Sequence, residues 1–294
     1  MRIADRDITQ IALAPFRICH YRALYNMMRV FVDFPSAFLR YITNSGRYPW
    51  RPRLRTPMGI VSPTLYSYHD LLTVNEIFCR QDYKVDPNAR VVVDIGANIG
   101  ISGLYFLTRN PNVRCHLFEP VPRNVERLRA NLAAFGNRIV VSDVAVADSS
   151  GTVDFGVEDA GRYGGIGVDT GRTIQVECRH IDDVLESVLQ TEERIDLLKL
   201  DTEGLEAATV AAIHRRYLAR IGRIAYEQAA GATSTVIQYD PHVAPMSAAG
   251  LHAVLPFALA AERDDVLRIA HPSPGGGDEP DRGEDRPGIL RIGT

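Results

Sequence analysis

The segment VVVDIGANIG, residues 91–100, constrains this chain more than any other. Three successive valines followed by an acid and a glycine turn predict a buried strand that delivers Asp94 at its carboxyl end. Gly96 and Gly100 then make a tight turn, and ISGLYFLTRN (101–110) continues with helical spacing. Strand, turn and helix in that order predict the opening unit of a doubly wound α/β sheet. In such sheets ligands bind beyond the carboxyl ends of the strands.

The pattern repeats downstream. VRCHLFE (113–119) reads as a second strand, and PRNVERLRANLAAFG (122–136) as a helix closed by Gly136. RIVVSDVAVA (138–147) reads as a third strand region. Residues 152–157 and 173–178 suggest an inserted hairpin joined by the glycine-rich loop GRYGGIG (161–167). A helix over 180–190, a strand IDLLKLD (195–201), a helix over 204–217 and a strand RIAYE (223–227) follow. This alternation predicts a mostly parallel sheet with its core over 91–228, inside a domain spanning 56–271. Residues 56–90 lead in with a short strand or hairpin and a helix near 70–80. Beyond 228 the signal thins to a helix near 247–261 and a strand near 265–270. Residues 272–294, dense in Pro, Gly and charge, are expected to be a disordered tail.

Residues 1–55 form a predicted N-terminal helical extension. Helical character runs over 16–31, and Pro35 separates a second short helix. Arginines beside Tyr21, Tyr25, Phe31, Phe34, Phe38 and Tyr41 fit two readings. One is a cover for the core or a homodimer contact; the other is a peripheral membrane contact through residues 16–41.

Charge narrows the partners. With 33 basic and 36 acidic residues the net charge is −3, which gives no electrostatic case for nucleic acid. Cys19, Cys79, Cys115 and Cys178 are too far apart in sequence for a metal or redox pair. They are expected to pack as small apolar groups in a reducing compartment. There is no leader-like apolar run with a cleavage site, and no apolar stretch near the roughly 20 residues of a spanning helix. A cytoplasmic protein is the expectation.

Four sites carry chemistry. The first is the turn itself. A dinucleotide fingerprint needs G-x-G-x-x-G, but here Asn98 stands at the second glycine, which suits a pyrophosphate poorly. It suits a ligand with an amino-acid moiety, whose ammonium can donate to Asp94 directly or through water and whose carboxylate the backbone of the turn can bind. The second is Glu119, 19 residues beyond Gly100 at the end of the next strand, placed to accept ribose hydroxyls. The third is Asp143, a possible acceptor for an adenine amino group, with Val144 and Ala145 as a wall. A plain strand-end aspartate fits Asp143 equally well. The fourth is IDLLKLDTEGLE (195–206), where an apolar strand emerges into Asp201, Glu203 and Gly204. Lys199 alternates with Asp201, so the two point the same way and can pair. Glu206 favours the start of the following helix electrostatically.

DIGANIG, FEP, the SDVAVAD segment followed by Gly151, and LLKLDTEGLE, in this order, resemble the FkbM family of methyltransferases. The lead-in NEIFCRQDYKVDPNARVVVDIGANIG, with Glu76 and Tyr83, is similar too, so the resemblance covers about residues 70–228. It implies a Rossmann-like class I methyltransferase fold and S-adenosylmethionine as cofactor. The cofactor site would draw on Asp94, Gly96, Ala97, Asn98, Gly100, Ser102, Glu119, Pro120, Asp143, Val144, Ala145 and Asp201. The reaction implied is O-methylation of a hydroxyl on a sugar, polysaccharide, glycolipid or related natural product. Candidate bases are Asp201, Glu203 and Glu227, with His69, His180 and His214 behind them. Asp201 with Glu203 or Glu227 could instead hold a divalent metal such as Mg²⁺. The rivals are an NAD-dependent sugar oxidoreductase and a non-catalytic cofactor-binding scaffold.

Overall fold

The computed structural model describes residues 2–3, 6–7, 18–158, 164–168, 170–202, 204–227, 234–245 and 266–270. The expected helix at 247–261, the tail 272–294, loop residues 161–163 and Glu203 lie outside them.

After a short antiparallel ladder of Arg2–Ile3 against Arg6–Asp7 come two helices, α1 (Ile18–Val30) and α2 (Phe34–Thr43), with Pro35 in the first turn of α2. A hairpin of β1 (Leu54–Thr56) and β2 (Gly59–Val61) follows. Then come α3 (Tyr68–Val74), started by a Ser67–Asp70 capping box, and a π-helical turn over Asn75–Arg80. The expected single helix near 70–80 is thus two helical forms joined end to end.

The αβ core begins at β3 (Val91–Ile95) and α4 (Ile101–Leu107), and continues through β4 (Arg114–Phe118), α5 (Pro122–Leu132) and β5 (Ile139–Ser142). Here the structure departs from the sequence reading twice. Helix α5 stops at Leu132, and Gly136 (φ 53°) sits within a following 3₁₀ turn. The segment read as one strand over 138–147 breaks at Asp143 and Val144. Ile139–Ser142 joins the main sheet, whereas β6 (Ala145–Ala147) pairs in a second sheet.

That second sheet holds the inserted hairpin, β7 (Gly151–Val157) against β9 (Thr173–His180), with β8 (Gly164–Ile166) as an added edge. Its order is β8-β7-β9-β6. The chain returns through α6 (Ile181–Leu189) to β10 (Leu197–Leu200). The helix expected over 204–217 is two, α7 (Glu206–Ala212) and α8 (Arg215–Leu218), separated where Ile213 and His214 turn extended. His214 therefore caps the start of α8 rather than lying late on a long helix. Strands β11 (Arg223–Glu227), β12 (Ser234–Pro245) and β13 (Val266–Ala270) complete the main sheet.

The main sheet has the order β13-β12-β11-β10-β3-β4-β5, and its strands from β11 to β5 are all parallel. Successive strands run outward from β3 through β4 to β5. The chain then crosses to the other side of β3, where β10 pairs with it. The gap between β3 and β10 is the topological switch point, where the strand ends diverge and leave a crevice. Both faces are covered. One cluster joins Val92, Leu117 and α4 to Met27, Phe31, Ala37 and Leu54 of the N-terminal layer. The other packs Val93, Leu198 and Ile224 against α6 and Tyr217.

Candidate functional site

A cavity of about 560 Å³ opens at the switch point. That volume falls among ordinary small-molecule sites. Its floor is made of three strand ends: Gly96–Asn98 after β3, Glu119–Val121 after β4, and Asp201 and Thr202 after β10.

The β3 turn is held by Gly96 N and Ala97 N, which both donate to Phe118 O at 3.0 Å. Gly96 has φ 76°, and a Cβ there would lie 1.9 Å from Asp201 O, so only glycine fits between the two strands. Asn98 also has positive φ, 46°, a conformation that asparagine tolerates. Its Oδ1 is buried and lines the cavity without a hydrogen-bond partner among the described residues; so does Thr202 Oγ1. Buried polar atoms in that condition call for a bound partner. An acceptor amide oxygen and a hydroxyl suit the ammonium and carboxylate of an amino-acid moiety.

Glu119 is 4% exposed and sits across the same turn. Its Oε1 accepts from Val121 N (3.1 Å) and Asn124 Nδ2 (3.2 Å), and its Oε2 from Asn98 N (2.9 Å). Burial raises its carboxyl to about 7, against the pull of those three donors and the charge of Lys199. Oε2 keeps an acceptor site open for a ribose hydroxyl. Asn124, one turn into α5, is a supporting residue that the sequence reading missed. Its only signal was a polar residue on a helix start five positions past the acid.

Lys199 is buried and joins the floor into one charged unit. Its Nζ lies 2.9 Å from Asp94 Oδ1 and 3.3 Å from Asp201 Oδ2. Burial opposes its charge, but the two carboxylates outweigh that and hold the ammonium well above its usual range. The expected Lys199–Asp201 pair is present, and Asp94 is a second partner. Asp94 is fully buried, accepts from Ser102 Oγ through Oδ2, and does not line the cavity. Both its oxygens are engaged within the fold, and Asn98 Oδ1 is the buried acceptor that lines the cavity beside it.

The other expected residues divide by placement. Ala97, Ser102, Pro120, Val144 and Ala145 line the cavity. Gly100 does not; it starts α4, where a Cβ would press on Leu128 and Leu132. Asp143 is half exposed and paired with Arg129 at 2.8 Å, and it is not among the residues that line the cavity. Asp201 lines the rim, 34% exposed. Glu227 ends β11, whose Tyr226 is in register with Leu200, so positions 201 and 227 leave adjacent strands at the same edge. His69 lines the cavity, whereas His180 and His214 cap α6 and α8. Glu206 accepts from Thr202 N (2.7 Å) and Gly204 N (2.9 Å) and so fixes the loop after β10.

Two covers close over the floor. Residues His69–Tyr83 contribute Glu76, Ile77, Asp82 and Tyr83, and the second sheet contributes Phe155, Val157, Gly164 and Ile166. Among the described residues, no three His, Cys, Asp or Glu side chains gather closely enough to hold a metal ion.

The chain is 27% identical over 206 residues to the AMB antimetabolite synthetase AmbE of Pseudomonas aeruginosa, covering 57% of this chain and 10% of that one. It is 33% identical over 147 residues to the 2-O-methyltransferase NoeI of Sinorhizobium fredii, covering 44% of this chain and 58% of that one. The chain thus spans a tenth and somewhat over half of the lengths of these two relatives. Among solved structures, the precorrin-6y C5,15-methyltransferase of Geobacter metallireducens is similar at 14% identity and TM-score 0.30, over 50% of this chain and 56% of that one. A family model, the methyltransferase FkbM domain, matches residues 94–245, from Asp94 in β3 through the end of β12. That span is just over half of the chain and includes the whole strand-end floor, so the chain belongs to the FkbM methyltransferase family.

Proposed function

We propose that this chain transfers a methyl group from S-adenosylmethionine to a hydroxyl of a saccharide or a related natural product. The observation that carries the reading is the convergence, at one switch-point cavity, of unpartnered Asn98 Oδ1 and Thr202 Oγ1 with the Glu119 carboxylate. One end suits an amino acid and the other a ribose, which is the two-ended chemistry of this cofactor. When bound, S-adenosylmethionine supplies an electrophilic methyl group on a sulfonium sulfur.

The chain's own residues then have three tasks. Gly96, Ala97 and Asn98 seat the amino-acid end, and Glu119, held by Asn124, receives a ribose hydroxyl. Val144, Ala145, Phe155 and Ile166 wall off water from the reacting centre. Asp201 stands at the rim, oriented by Lys199, where it can accept the acceptor hydroxyl's proton. Glu203, next in sequence to Thr202, and Glu227, the last residue of β11, are the alternatives. Most of the acceleration comes from holding the hydroxyl oxygen in line with the methyl carbon.

The decisive experiment is a labelled-methyl transfer screen against sugars, glycolipids and polyketides, run beside calorimetry with S-adenosylhomocysteine. Methyl label on a hydroxyl oxygen of a saccharide-type acceptor supports the reading. Tight NADH binding with no response to S-adenosylhomocysteine overturns it.

A further inference from the structure

The N-terminal layer carries a surface that the proposed reaction does not use. Seven of the eight exposed large apolar side chains among the described residues lie between Leu24 and Ile60. Their placement follows helix geometry. On α1, Ala23 and Met27 face the core, while Leu24, Tyr25 and Met28 point outward. At 100° per residue these three share one arc, and Arg29 and Arg22 continue it. On α2, Ala37 faces inward, and the outward row 35, 39, 42 reads Pro, Leu, Ile. A helix of a soluble protein carries charge on its outer face; this one carries none in that row. At the hairpin turn, Met58 and Ile60 are exposed as well.

Charge is concentrated in the same layer. Residues 18–61 hold seven arginines, from Arg22 to Arg55, against a single acid, Asp33, in a chain whose net charge is −3. Arg51, Arg53 and Arg55 are exposed and alternate with buried Pro52 and Leu54, so all three project to one side. A groove between α1 and the hairpin is lined by Arg29, Arg55 and Arg109, with no acid in its wall. Met28 and Pro57 border the same groove.

We propose that this face docks on an anionic lipid bilayer, with Leu24, Met28, Leu39, Ile42 and Met58 entering the headgroup region and the arginines meeting lipid phosphates. Exposed apolar groups in one layer with exposed arginines match such a surface on both counts. A nucleic acid would match the charge and leave the apolar row unexplained; a second copy of the chain would match the apolar row and set one arginine-rich layer against another. No helix among the described residues is long and apolar enough to cross a membrane, so the layer lies on the surface. The docking face also backs onto the cavity. Asn26 Nδ2 donates to Cys79 O at 2.6 Å, and the segment carrying Cys79 lines the cavity through Glu76 and Ile77.

Co-sedimentation of the full chain with phosphatidylcholine vesicles, with and without phosphatidylglycerol, tests this directly. The chain is expected to pellet with the phosphatidylglycerol vesicles and to be released by salt. R51E and R53E should each weaken binding by about fivefold or more, since one arginine near such a surface contributes about that factor. The pair L39S and I42S, both at exposed positions, should remove binding while leaving the circular dichroism spectrum and S-adenosylhomocysteine affinity unchanged. Absence of binding to anionic vesicles overturns the proposal, as does binding that neither set of variants alters. So does competition by RNA with no effect of the apolar pair. A dimer lost in L39S/I42S, with no vesicle binding, assigns the face to a second copy instead.

Discussion

Glu119 gives the sharpest test of the cofactor site. Its carboxyl is raised from 4.5 to about 7 by burial. Only Oε2 has an acceptor position open, and a ribose hydroxyl needs the ionised form to donate to it. With a carboxyl titrating at about 7, roughly one molecule in eleven is ionised at pH 6 and about ten in eleven at pH 8. Affinity for S-adenosylhomocysteine should therefore rise about tenfold, or about 1.4 kcal/mol, between these pH values. Near pH 7, calorimetry in buffers of different ionisation enthalpy should report net proton release. Stability of the unliganded fold runs the other way. A raised carboxyl binds its proton more readily when folded, so its contribution is complete below about 4.5 and is lost as pH rises through about 7. Glu119→Gln should lower affinity by roughly 1–3 kcal/mol and flatten the pH dependence. A wild-type affinity that stays flat from pH 6 to 8 would refute the reasoning. A slope that persists in Glu119→Gln would move it to another group, His69 being the histidine in the lining.

Gly96→Ala forces a Cβ against Asp201 O and strains a positive φ. It should destabilise the fold by roughly 2 kcal/mol or more and abolish S-adenosylhomocysteine binding, read by thermal melts with and without ligand. Lys199→Met leaves Asp94 buried beside Ser102 without its cation. Chemical denaturation should show a loss of about 3–5 kcal/mol, partly restored in the double variant with Asp94→Asn. Asp201→Asn should cut turnover strongly with S-adenosylhomocysteine affinity retained; near-normal turnover shifts the base to Glu203, Glu227 or His69. A chelator added to the wild type separates direct base chemistry, which is indifferent to it, from metal assistance, which Mg²⁺ restores.

Local pattern determined much of this molecule. The valine run and the glycine turn fixed β3 and its loop, because β-branched residues and positive-φ positions are constraints a residue carries with it. The two-residue alternation of a strand put Lys199 and Asp201 on one side before any neighbour was known. The strand-end position of Glu119 could be anticipated from its place after the second strand of the αβ core.

Tertiary structure decided what those groups touch. Asp94 and Lys199 are 105 residues apart in sequence, and their pairing exists only because β10 lies beside β3. That juxtaposition makes Asp94 half of a buried ion pair and leaves Asn98 Oδ1 at the cavity. The split of 138–147 between two sheets was equally invisible. Both halves have strand composition, and the break at Asp143 and Val144 is imposed by which neighbours each half can pair with. The division of α7 from α8 also involves a distant partner, since His214 N at the break donates to Asp182 Oδ1 on α6 at 2.9 Å. Periodicity is written residue by residue, whereas pairing and burial depend on parts of the chain that meet only after folding.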